Sequence, residues 1–82
     1  MDIFDDLAKL NDCYISDLKC KMRQQNTFFV ASLKILSEKN YDDISWFKLY
    51  EYLFDIKPVC ETAYIKQEIM YQSLRCNSKL VN

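Results

Sequence analysis

Four cysteines, at positions 13, 20, 60 and 76, are the most reactive side chains in this sequence of 82 residues. A thiolate is both a nucleophile and a metal ligand, so their spacing decides which chemistry is open to them. No two form a CxxC pair, which removes the zinc ribbon, the zinc finger and the thioredoxin-type redox motif. No metal and no cofactor is expected. The chain has no histidine, so a serine or cysteine nucleophile lacks its usual base. An enzyme using a cysteine thiolate ranks last among the readings below. The carboxylate pairs Asp5/Asp6 and Asp42/Asp43 could serve acid–base catalysis, yet each lies where a helix would begin and free backbone N–H groups favour negative charge. Capping is the expected role, and no catalytic residue is assigned. With no glycine, no phosphate-cradling loop can be written either. The expectation is a non-enzyme.

The same absences constrain the elements. Without glycine and with Pro58 as the single proline, the Asn-Gly and Asp-Gly turns that close hairpins are missing. The pattern predicts an all-α fold: a compact bundle of about four helices in one domain over residues 1–76, with a flexible tail at 77–82. Half of the residues are apolar and the net charge is −1, which suits a globular domain. No apolar run reaches the roughly 18 to 20 residues of a membrane span. The start, Met-Asp-Ile-Phe-Asp-Asp, carries acids where a signal peptide carries bases. A cytoplasmic location with reduced cysteines is therefore expected.

The first helix is predicted from Asp2 to about Arg23, with Phe4, Leu7, Tyr14, Ile15, Leu18 and Met22 in one stripe. Cys13 and Cys20 fall opposite that stripe and are expected off the core. After the polar break Gln24-Gln25-Asn26, a second helix runs over residues 27–39, capped by Asn26 or Thr27 and closed by a left-handed Asn40. A strand with Phe29, Ala31, Leu33 and Ile35 on one face is the alternative there. A third helix begins at Asp42, Asp43 or Ser45, lines Trp46, Phe47, Tyr50, Leu53 and Phe54 along one side, and stops before Lys57-Pro58. Tyr52 and Ile56 lie on its far side. The fourth runs from Pro58 or Val59 to about Cys76 and is apolar on two sides. Cys60, Ala63, Tyr64, Met70, Tyr71 and Leu74 form one stripe, and Ile65, Ile69 and Cys76 form another almost opposite. Such a helix is either central to its own bundle or shared with another chain.

Recognition is the chemistry that survives. The leading reading is a protein-binding regulator that docks a partner helix, or a second copy in a homo-oligomer, through Ile65, Ile69 and Cys76, with Tyr52 and Ile56 at the rim. The competing class is a nucleic-acid-binding regulator using Lys19, Lys21, Arg23 and Lys34. Charge changes sign in four blocks along the chain, which suits antiparallel helices better than a single basic face.

The acidic start, the richness in Lys, Asn, Tyr and Phe, the lack of His and Gly, and the compact length resemble the small cytoplasmic host-takeover and lysis-control proteins of T-even bacteriophages. Among these regulators the size and character are similar to a cytoplasmic antiholin. The resemblance rests on composition and length and transfers no residue roles. It implies a viral protein in the host cytoplasm that binds the cytoplasmic part of a holin and delays lysis. A regulator of host RNA polymerase or of a host defence protein is the rival implied by the same likeness.

Overall fold

The computed structural model describes the backbone of residues 2–81 and the side chains of residues 2–76. Five α-helices follow one another: α1 (Ile3–Leu10), α2 (Leu18–Gln24), α3 (Asn26–Ser37), α4 (Asp43–Phe54) and α5 (Ile65–Val81). Single 3₁₀ turns at Ile15–Asp17 and Thr62–Tyr64 lead into α2 and α5. There is no strand among the described residues, so the strand alternative for 29–35 is excluded.

The fifth helix arises because the first predicted helix is two. Asp2 caps α1 by accepting from the Asp5 backbone N–H at 2.9 Å, and Asp12 then turns the chain left-handed, with φ 51°. The Cys13 N–H reaches back to the Ala8 carbonyl and the Asp12 N–H to that of Lys9, the two bonds of a Schellman closure. Asn11 adds side-chain bonds to the Leu7 carbonyl at 2.9 Å and to Ser32 Oγ at 3.0 Å, fastening the break to α3. The break shifts the phase of the stripe. Leu18 and Met22 stay in the core, while Tyr14 and Ile15 turn outward.

The second left-handed residue is Asp55, which closes α4, so Asn40 does not play the part expected of it. Lys19 Nζ lies 2.7 Å from Asp55 Oδ1 and 5.0 Å from the centre of the Tyr52 ring, tying the end of α4 to α2. This difference makes a prediction. Asp12→Gly relieves a left-handed conformation and is expected to stabilise the protein by about 0.5 to 1 kcal/mol. Asp55→Gly gains the same relief and loses an exposed ion pair worth about 0 to 1 kcal/mol, for a smaller net change. Urea unfolding compares the two; equal gains would show that the Lys19 pair contributes nothing.

Asn26 and Thr27 do not cap α3. Gln25 precedes the helix without a side-chain bond, and the Asn26 amide, 5% exposed, donates to the Ser73 carbonyl of α5. A buried amide needs such a partner, and here it also sets where α3 and α5 meet. Ser73, fully buried, donates to the Ile69 carbonyl at 2.7 Å and leaves the space of a small side chain for that approach. Asp42 caps α4 as the sequence predicts, accepting from the Ser45 N–H at 2.8 Å.

The helices share one core: Ile3 and Leu7 of α1, Leu18 and Met22 of α2, Phe29, Leu33 and Leu36 of α3, Trp46, Leu49 and Leu53 of α4, and Ile65 and Ile69 of α5. Tyr41 packs edge-on against Trp46, and its hydroxyl donates to the Asp6 carboxylate. Burial first, and then this bond, push the Tyr41 phenol from 10.0 up to about 12. The folded state thus holds this proton more tightly than the unfolded chain. The contribution of Tyr41 is complete below pH 10 and is lost as pH rises toward 12. Tyr41→Phe is expected to flatten the fall in urea stability between about pH 10 and 12. An unchanged slope would refute that linkage.

The fourth predicted helix starts later and ends later than the sequence suggests. Residues 58–61 are loop, and the backbone stays helical through Val81, past the boundary expected at Cys76. Asn82, the last residue of the expected tail, lies outside the described residues.

Candidate functional site

The two apolar faces of α5 exchange the roles expected of them. Ile65 is 5% exposed and Ile69 is fully buried, both in the shared core, with Cys76 half-buried against the same cluster. The residues read as a partner-facing stripe are therefore internal. Tyr64, Tyr71 and Leu74 point outward instead, at 60%, 56% and 50% exposure. Ile65 and Ile69 are branched hydrocarbon with no polar end, so leaving them in water gains nothing. Tyrosine has a hydroxyl that stays hydrated at a surface while its ring remains available for contact.

Tyr52 is also engaged within the fold. Its ring meets Phe4 edge to face at 5.5 Å between centroids, and its hydroxyl donates to the Ile15 carbonyl at 3.0 Å. It fastens α4 to α1 and is only partly accessible. Ile56 is exposed, but in the segment after α4 rather than on the helix.

Val59, one of the most exposed apolar residues, lies beside Tyr64 at the near end of α5. There α4, the 58–61 segment and the start of α5 enclose a groove of about 190 Å³. Pro58, Val59, Tyr64 and Ile65 give it apolar walls, Tyr50 closes it from α4, and Glu61 and Glu68 add two carboxylates. From this groove, Tyr71 two turns on and Leu74 one turn further continue an apolar line along α5. Arg75 lies 5.8 Å from the Tyr71 ring centre and steadies it.

A second outward apolar pair went unrecognised in the sequence. Phe28 and Ile35 of α3 are 72% and 47% exposed. They lie seven residues apart and share a helix face, while Phe29, Leu33 and Leu36 fill the opposite side. Phe28 borders a shallow groove with Leu10, Asp12 and Lys21. The adjacent phenylalanines at 28 and 29 carried the available signal, since neighbours lie about 100° apart on a helix and do not share the centre of one face.

The thiols and cations are dispersed. Cys20 and Cys60 are exposed, so Cys60 leaves the stripe expected of it; Cys13 is half-buried against the core rather than off it. Burial pushes the Cys13 thiol up, which keeps it protonated. Among the described residues no three His, Cys, Asp or Glu side chains gather closely enough to hold a metal ion. Of the four basic residues considered for nucleic acid, Lys19 is committed to Asp55, Lys21 is half-buried, and Arg23 and Lys34 are exposed on different helices. No described helix is long and apolar enough to cross a membrane. No protein-family model matches this chain, and no significant match to it exists among curated proteins or solved structures.

Proposed function

We infer that this protein is a non-enzymatic regulator that binds another protein through the outward face of α5. One observation carries the reading: α5 is apolar on two sides, the core takes the Ile65/Ile69 side and part of Met70, and the remaining side leaves Tyr71, with Tyr64 in the turn just before the helix, more than half exposed. Tyrosine-rich faces of this kind are favoured at protein interfaces, where a rigid ring gives contact area and its hydroxyl tolerates water when alone. The resemblance to T-even lysis-control proteins makes the cytoplasmic part of a holin the first partner to test, with a second copy of this chain as the control.

The experiment pairs light scattering in reductant with titration of a holin cytoplasmic segment, using wild type and Tyr71→Asp with Leu74→Asp. Reductant prevents disulfides at the exposed Cys20 and Cys60 from mimicking a dimer. A complex or dimer that the double variant abolishes supports the reading. A complex that survives the substitution overturns the assignment to α5, and a wild type that stays monomeric and binds no segment overturns the antiholin reading.

A further inference from the structure

The groove at the near end of α5 is apolar in its walls and acidic in its charge. Glu61 and Glu68 line it, and no basic side chain does. Lys57, next to Pro58 in sequence, is exposed outside the lining, and Lys66 lies over the Trp46 ring at 5.4 Å. Glu68 is half-buried, and Gln72 Nε2 donates to its Oε1 at 2.8 Å, which holds the carboxylate in place. Its charge reaches Tyr50, whose phenol is pushed up by burial first and by Glu68 second. A carboxylate partly withdrawn from water beside apolar walls is a site that an incoming cation improves.

We propose that this groove receives one lysine or arginine side chain presented by an apolar segment of the partner protein. The proposal rests on reading α5 as a protein-binding face, and it specifies the chemistry of what docks at the near end of that face. Size argues for a single side chain: about 190 Å³ is below the roughly 300 Å³ at which small-molecule sites begin. Shape and charge argue for a long cationic one. Its methylene stem matches Pro58, Val59 and Ile65, its head group meets Glu61 and Glu68, and the rings of Tyr50 and Tyr64 favour a cation over their faces. The start of α5 contributes roughly half a positive charge, which two carboxylates outweigh. Apolar residues flanking the cation continue onto Tyr71 and Leu74.

The test titrates the ¹⁵N-labelled full chain with a capped Leu-Leu-Arg-Leu-Leu peptide, and with peptides bearing glutamate or norleucine in place of arginine. Amide shifts are expected at residues 50 and 58–68 with the arginine peptide. Glu61→Gln with Glu68→Gln, which preserves shape, is expected to weaken that binding about fivefold to tenfold. Equal binding of the three peptides, shifts centred elsewhere, or none at millimolar peptide would overturn the proposal. If the groove stays silent while the holin segment or a second copy still binds α5, this inference falls alone. A groove that takes the arginine peptide while no complex forms sinks the wider reading alone.

Discussion

Ile65→Asp with Ile69→Asp is expected to abolish far-UV helicity at 25 °C, whereas Tyr71→Asp with Leu74→Asp is expected to leave a folded protein that no longer binds its partner. Both pairs place two new carboxylates on the same helix, so the contrast isolates the face. Ile65 and Ile69 lie in the core, where an unpaired charge must stay desolvated or take up a proton. Either course costs several kcal/mol per site, against a total stability of about 5 to 15 kcal/mol for a domain of ordinary stability. Tyr71 and Leu74 are at least half in water, and surface substitutions of this kind lie within about 0.5 kcal/mol each. Circular dichroism and thermal melting read the fold, and light scattering with holin-segment titration reads the binding. If the Ile65/Ile69 variant remained helical, the placement of that stripe in the core would be wrong.

The second large effect belongs to Trp46, the bulkiest fully buried side chain, 1% exposed. Trp46→Ala is expected to lose about 3 to 5 kcal/mol, since the space it vacates is walled by α4, α5 and the Tyr41 ring. Trp46→Phe is expected to lose much less, about 1.5 kcal/mol or below, for a specific reason. The Trp46 indole Nε1–H is buried with no hydrogen-bond partner among the described residues, so removing it also removes a desolvated donor. Urea unfolding followed by circular dichroism, which does not depend on the lost indole, compares the two. A phenylalanine variant as unstable as the alanine one would mean that the donor is satisfied after all. The Lys66 ammonium over the ring adds a cation–π contact that phenylalanine retains in part.

The first of these expectations turns on which side of α5 faces inward, and there the sequence was least informative. Its absences were decisive for class: without glycine turns and with one proline, helix was the available element, and every described segment of regular structure is helical. Asp42 was legible as a cap because its effect is local, a carboxylate accepting from an amide three residues on. Trp46, Tyr50 and Leu53 were legible as core because α4 has a single bulky face. The break at Asn11–Cys13 was not legible. Nothing in the local composition forces Asp12 into a left-handed conformation, and the Asn11 bond that secures it comes from Ser32, 21 residues away.

The two faces of α5 show the same division. The sequence by itself determined that this helix carries more apolar surface than one core can cover, because periodicity counts residues and not neighbours. Only the tertiary structure decided which face is inside. Asn26 of α3 bonds the Ser73 carbonyl, and Ser73 is small enough to allow the approach, so the Ile65/Ile69 side turns inward and Tyr64 and Tyr71 turn to water. That choice depends on a contact 47 residues apart in the chain, and no pattern within α5 encodes it.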